Sequence, residues 1–174
     1  LKKVKSPVNW EEFWHHAITC AAGSQAIADR CGYPEPEEAF IAGLLHDVGY
    51  FVLNMLAPDE FAASVGRQVF GRPEREQETF GSSHVEIGIM LLEFWKLPSQ
   101  LCRVARFHHS LKHADYGKEP LVAVVALADT LAGVTGSAYV EVADKDNLLA
   151  LTEKVGISMA DYGALLPEIG RRVK

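Results

Sequence analysis

Thiols, basic charge, long apolar runs and strand signals are all scarce in this chain of 174 residues. Its three cysteines, Cys20, Cys31 and Cys102, stand far apart with no CxxC, which argues against a disulfide scaffold and against a thiolate zinc site. They read as small buried residues in a reducing cytoplasm. Lys and Arg number 17 against 23 Asp and Glu, for a formal net charge of −6. The chain therefore lacks the basic face by which a protein holds nucleic acid or an anionic membrane. The most apolar run, 39–56, contains His46, Asp47 and Asn54. An ionised Asp near the middle of a membrane span costs about 2.5–3.5 kcal/mol, so this run reads as a buried helix of a soluble domain. No apolar segment follows the basic start Leu1-Lys2-Lys3-Val4-Lys5, so this start is not expected to be a signal peptide, and a cytoplasmic location is expected. No Met opens the sequence, which suggests a piece of something longer. Glycine-rich phosphate loops, internal repeats and low-complexity tracts are missing as well.

Helical signals fill the space. Asn9 and Glu12 have the spacing of a capping box for a first helix that Gly32 can close. Pro34 and Pro36 open a second helix expected to run to Leu56, with a bend at Gly49. Pro58-Asp59-Glu60 starts a third, reaching about Phe70. The charged stretch 71–79 has an ill-defined helical tendency and reads as the most exposed part. Ser82 or Ser83 caps a helix that stops before Leu97-Pro98, and another runs from Pro98 to about His109. A polar connection, 110–119, precedes an apolar helix over 120–134. The loop-like stretch 136–142 leads to two short helices from about Asp144 and Ser158. The expectation is an all-α fold, a compact single-domain bundle of seven to eight helices over residues 1–174.

Ionisable residues on faces that should be buried carry the functional information. Asp129 lies in Leu121–Ala132 and shares a helical face with Val122, Val125 and Ala126. A carboxylate there must be hydrogen-bonded, protonated or bound to a metal. His46-Asp47 interrupts the apolar second helix. Neighbouring helical residues point about 100° apart, so the pair converges only on a point off the helix side, as a metal ion would be. A lone His-Asp dipeptide is common; inside Gly43-Leu44-Leu45-His46-Asp47-Val48-Gly49 it carries more weight. His16 sits at the edge of the buried stripe of the first helix, with His15 beside it and Glu12 one turn earlier. His84 is near a helix cap, and His108-His109 end a helix. Each histidine alone could be a satisfied structural residue. Six of the seven near helix ends or on buried faces, with two misplaced aspartates, point jointly to a site.

The order His16, His46-Asp47, Asp129 resembles the HD superfamily of metal-dependent phosphohydrolases, whose ligands run His, His-Asp, Asp. The segments Phe13-Trp14-His15-His16, Glu38–Gly49, Phe80–Gly88, Phe94–Pro98 and Phe107-His108-His109 narrow the resemblance to the HDOD branch, the HD-related output domain of bacterial signalling proteins. The resemblance covers residues 10 to 135, which it implies are the metal-binding core, and leaves 144–174 as accessory helices. The related HD-GYP phosphodiesterases, which cleave cyclic di-GMP, add a His and a His-His pair, matched here by His84 and His108-His109. The resemblance thus implies a centre of one or two divalent transition metals on His16, His46, Asp47, His84, His108, His109 and Asp129. Asp47 would bridge, and Glu12 stands where some HD-GYP sites place a further carboxylate. Two departures stand out. Tyr50 replaces the Lys that follows His-Asp-x-Gly in HD-GYP proteins, and the Gly-Tyr-Pro signature is missing.

His-rich ligation favours iron, then manganese or zinc, with nickel admissible, over magnesium or calcium. Arg103 and Arg106, with Lys112 behind them, are the candidates for gripping a phosphate, and few other basic residues flank the motifs. The expectation is therefore a metal-binding output module in bacterial signal transduction, meeting protein partners such as sensor or response-regulator domains. The alternative is an active phosphohydrolase or phosphodiesterase on a nucleotide or cyclic dinucleotide, with a metal-bridging hydroxide at Asp47. Nucleic acid and membrane are not expected partners.

Overall fold

The computed structural model describes residues 10–64, 70–110, 118–134 and 145–173. Ten α-helices and no strand occur among them. In chain order these are α1 (Trp10–Cys31), α2 (Pro36–Leu45), α3 (Gly49–Leu56), α4 (Pro58–Ser64), α5 (Pro73–Phe80), α6 (His84–Phe94), α7 (Ser99–Phe107), α8 (Pro120–Val134), α9 (Lys145–Val155) and α10 (Met159–Arg172).

The count exceeds the expected seven to eight for two reasons. The predicted helix 36–56 is two helices, α2 and α3, separated by the turn His46-Asp47-Val48. That break re-aims the chain at His46-Asp47. It also interrupts the one described stretch that is long and apolar enough to cross a membrane, 36–56, half of whose apolar window is buried against the fold. The charged stretch 71–79 is also a regular helix, α5, entered at Pro73 and closed by Gly81 at φ +76°. Glu76 within it is fully buried, contrary to the expected exposure.

Most other boundaries follow the sequence signals. Gly32, at φ +72°, ends α1. Ser83, not Ser82, caps α6 in a reciprocal capping box with Glu86, and Ser158 and Asp161 do the same for α10. Asn9, the connection 111–117 with Lys112 and His113, the loop 136–142 and Asp144 lie outside the described residues.

The central element is α8, in which every described residue from Leu121 to Gly133 is buried. It is apolar on all sides and is therefore a core helix. The long α1 packs against α2 and α8, α9 and α10 cover α8 and α1, and α3 and α7 flank α6. Arg30 on α1 ties α10 down through Glu168, at 2.8 Å, and Asp161, at 3.7 Å. An aromatic cluster of Phe13, Tyr50, Phe61 and Phe70 forms a second apolar body beside α3.

Glycine sets the closest approaches. A Cβ on Gly43 would lie 2.5 Å from Ser24 Oγ and 2.9 Å from the Cys20 carbonyl oxygen, so α2 lies directly on α1. A Cβ on Gly49 would lie 1.9 Å from the carbonyl oxygen of His84. These two glycines bracket His46-Asp47 and draw that turn against α1 on one side and α6 on the other.

Candidate metal centre

Five elements deliver polar side chains to one buried place. His16 comes from α1, His46 and Asp47 from the α2–α3 turn, His84 from the first residue of α6, His108 and His109 from the end of α7, and Asp129 from α8. All are buried except His109, which is half-buried. Each of the seven metal-ligand candidates named from the sequence is in this cluster.

Asp47 lies between two groups of nitrogens. Its Oδ2 is 3.2 Å from His46 Nε2 and 3.5 Å from His16 Nε2. Its Oδ1 is 3.3 Å from both His84 Nε2 and His108 Nε2. Asp129 Oδ1 closes the first group, at 3.2 Å from His16 Nε2 and 3.6 Å from His46 Nε2. His109 Nε2 closes the second, at 3.1 Å from His84 Nε2. Ligand atoms therefore converge as His16, His46 and Asp47 on one side and as Asp47, His84, His108 and His109 on the other.

These distances fit an ion. Bonds of about 2.0–2.2 Å to a tetrahedral metal place neighbouring ligand atoms about 3.3–3.6 Å apart. His16 Nε2 and His46 Nε2 are 3.3 Å apart, and His84 Nε2 and His108 Nε2 are 3.5 Å apart. The far sides of the rings are already committed. His46 Nδ1 faces the Gly43 carbonyl oxygen at 2.7 Å, and His108 Nδ1 faces those of Val104 and Ala105 at 3.1 and 3.0 Å. An Nδ1–H donating to a carbonyl leaves a lone pair on the Nε2 of His46 and of His108, each aimed at the facing imidazole and available to a metal ion. Asp47 Oδ1 and Asp129 Oδ1 are buried with no hydrogen-bond partner, a cost that coordination would remove.

The electrostatics divide the site: burial lowers His16 and His46, but Asp47 and Asp129 outweigh it, raising His16 above and His46 well above the ordinary histidine value. Burial pushes the Asp47 carboxyl up, but the facing imidazoles of His46, His108 and His16 outweigh it and hold the group well below the carboxylate range. Asp129 is likewise held low, its burial outweighed by the facing imidazoles of His16 and His46. Burial depresses His109 well below the ordinary histidine value, and the neighbouring His108 and His84 depress it further. A site of anionic carboxylates and a neutral imidazole is chemically ready for a metal.

Three further side chains belong here: Cys20 and Glu76, which the sequence did not connect with the site, and Tyr50, singled out there only as a departure from the related phosphodiesterases. Cys20, buried on α1, comes together with His46 and Asp129. Glu76 meets His84 Nδ1 at 2.5 Å, and Tyr50 stacks on the His84 ring with centroids 4.2 Å apart. Only one signal pointed to Glu76: it sits between Pro73 and Phe80, which share the inward face of α5 at i and i+7.

Three other candidates lie elsewhere. Glu12 is exposed and outside the converging atoms. Arg103 pairs with Glu119 and lies over the Phe107 ring, 5.7 Å from its centroid. Arg106 reaches Glu93 at 4.0 Å. Both arginines are half exposed on α7.

The sequence profile of the HDOD domain family matches residues 1–111. An HDOD domain protein of unknown function from Geobacter sulfurreducens has a similar crystal structure, with a TM-score of 0.76 and 26% identity. The match covers 97% of this chain and 61% of that one. The response regulator MmoQ from Methylococcus capsulatus shares the fold, with a TM-score of 0.70 and 24% identity, over 92% of this chain and 62% of that one. An uncharacterized protein of Treponema pallidum (strain Nichols) is 34% identical over 112 residues, 63% of this chain. The match spans 20% of the length of that relative.

Proposed function

This chain belongs to the HDOD domain family, and on that premise we propose that it is a metal-binding output module of bacterial signal transduction. Its partners would be proteins such as sensor or response-regulator domains. The observation that carries this reading is the setting of Tyr50. The side chain is wholly buried, and its hydroxyl is held by Glu76 Oε1 at 2.5 Å and by the Gly71 N–H at 2.7 Å. At the position where the related phosphodiesterases carry a Lys, this chain has a locked, inward-facing phenol. Among the residues whose burial is described no Lys or Arg is buried, so none of those side chains lies inside the centre. An ion held by five elements would contribute folding energy and make the arrangement of the helices depend on metal supply.

The proposed ligands are His16, His46, Asp47, His84, His108, His109 and Asp129, for one or two ions, iron before manganese or zinc, with nickel admissible. A second reading rests on Asp47 facing both ligand groups, the arrangement of a two-metal phosphohydrolase site. Two such ions, held by these residues, would supply an activated water and neutralise charge on a phosphate. The chain's part would be to hold Asp47 between the two groups and exclude bulk water. Arg103 and Arg106 would have to leave Glu119 and Glu93 to meet a nucleotide.

Elemental analysis of protein purified without a chelating tag, after iron or manganese supplementation, tests the common premise. Less than about 0.2 metal per chain overturns both readings, since a centre that stabilises the fold stays largely loaded. Incubation of loaded protein with cyclic di-GMP, nucleotides and a generic phosphodiester separates them. Turnover abolished by His46→Ala or Asp47→Ala with the fold retained defeats the output-module reading.

A further inference from the structure

The Glu76 carboxylate makes no ligand-distance contact with the cluster, yet it holds one of the cluster's histidines from behind. Its Oε2 is 2.5 Å from His84 Nδ1 and also accepts the His84 backbone N–H at 2.9 Å. Its Oε1 accepts the Tyr50 hydroxyl at 2.5 Å, and that hydroxyl in turn accepts the Gly71 N–H at 2.7 Å. The Tyr50 ring lies nearly parallel to His84, at 16° and 4.2 Å. The imidazole is thus gripped on one face and at Nδ1. Its Nε2 is left aimed at Asp47 Oδ1, His108 Nε2 and His109 Nε2, at 3.3, 3.5 and 3.1 Å.

The same carboxylate is the main anchor of α5. Glu76 is the only residue of that helix that is fully buried, while Glu74, Arg75, Gln77, Glu78 and Thr79 face solvent. Phe80 adds a ring contact to Phe61, with centroids 6.0 Å apart. A charged helix with so little apolar anchorage is seated chiefly by the Glu76 bonds, and the Gly71 bond to Tyr50 ties its entrance to the same network.

We propose that Glu76 is a positioning residue for the metal centre, and that through it metal occupancy controls the seating of α5. The proposal rests on the metal-binding reading above and names its regulation. Coordination at Nε2 makes the Nδ1–H a stronger donor to Glu76, and Glu76 fixes the tautomer that leaves Nε2 free to coordinate. Each state favours the other. By linkage, the factor by which seating α5 strengthens metal binding equals the factor by which metal strengthens the seating of α5. The solvent face of α5 then becomes a surface whose presentation to a signalling partner depends on the ion.

The test uses the full chain, stripped of metal and titrated with Mn2+. Calorimetry reads affinity, and hydrogen exchange with mass spectrometry reads residues 73–80. In the wild type, metal should slow exchange in α5 by about tenfold, within the usual range of coupling between sites. Glu76→Gln, nearly isosteric, should weaken binding at the His84, His108 and His109 group by about 10–100-fold. Binding at the His16 and Asp129 group should persist, so the stoichiometry under limiting metal falls, which a merely structural role for Glu76 would not produce. Glu76→Asp should recover part of the affinity. Tyr50→Phe keeps the Glu76–His84 pair and should retain most of the affinity while reducing the protection of α5, which provides a test if Glu76→Gln does not fold. A wild type that binds neither Mn2+ nor, in the same titration under anaerobic conditions, Fe2+ overturns the metal reading itself. A wild type that binds either ion with α5 exchange unchanged, or a Glu76→Gln protein that binds it equally well, overturns this proposal alone.

Discussion

Gly49 and His84 meet backbone to backbone: the Gly49 Cα lies so close to the His84 carbonyl that a side chain on it would overlap the oxygen, at 1.9 Å. This contact sets α3 against the first turn of α6 and so fixes the distance between Asp47 and His84. Gly49→Ala must separate the two helices. It should cost about 3 kcal/mol or more of stability, the upper range for overpacking, and reduce bound metal. Urea denaturation with elemental analysis checks both, and a wild-type midpoint with a full metal complement would contradict the assigned contact.

Asp47→Asn keeps the volume of the side chain and removes the charge that both ligand groups share. Bound metal should fall to less than half of the wild-type content, whereas loss of a ligand confined to one group would spare the other. Plasma mass spectrometry of identically loaded proteins gives the comparison.

Asp129 sits on α8 beside His16 and His46 and lies outside the second ligand group. Asp129→Ala should lose metal and lower the melting temperature. In the wild type, free metal at 100 times its dissociation constant adds about 2.7 kcal/mol of stability, so a chelator should lower the melting temperature sharply. The same chelator should shift Asp129→Ala by less. An equal shift in both proteins would remove Asp129 from the ligand set.

Ser83 caps the helix that begins with His84, its hydroxyl accepting the Glu86 N–H at 3.2 Å while Glu86 Oε2 accepts the Ser83 N–H at 3.1 Å. Ser83→Ala should cost about 1 kcal/mol. The frayed first turn carries His84, so metal affinity should fall with it. Thermal denaturation with and without Mn2+ separates the two effects.

The second capping box supplies a pH dependence remote from the centre. The Ser158 hydroxyl and backbone N–H, with Arg30 nearby, hold the Asp161 carboxyl below its ordinary value of 3.8. A carboxyl lower in the folded state stabilises the fold above its unfolded value, and that contribution disappears as the pH falls through the folded value. Wild type and Asp161→Asn should therefore differ in denaturation midpoint at pH 7 and converge below about pH 3.8. A gap that persists in acid would mean that the charge is not the cause.

Local signals made the helix boundaries legible at Gly32, Ser83 and Ser158, because caps act over three or four residues and can be read in one window. They misled at 36–56 and 71–79. The bend expected at Gly49 falls where α3 begins, but the apolar run concealed that the turn His46-Asp47-Val48 separates two helices. The charge of α5 concealed Glu76, whose burial is bearable only because Tyr50 and His84, from two other helices, supply its partners.

By itself, the sequence determined the all-helical class, the apolar helix 120–134 and the misplaced polarity of His46, Asp47 and Asp129. Those properties follow from side-chain chemistry and short-range spacing; the full set of seven came through the family resemblance. Only the tertiary structure decided that the seven converge in two groups on either side of Asp47, and that Arg103 and Arg106 are turned to Glu119 and Glu93. It alone brought Cys20, Tyr50 and Glu76 into the site. Convergence depends on the close approach of helices at Gly43 and Gly49, and contact distances between segments remote in sequence are set by packing, which no local pattern encodes.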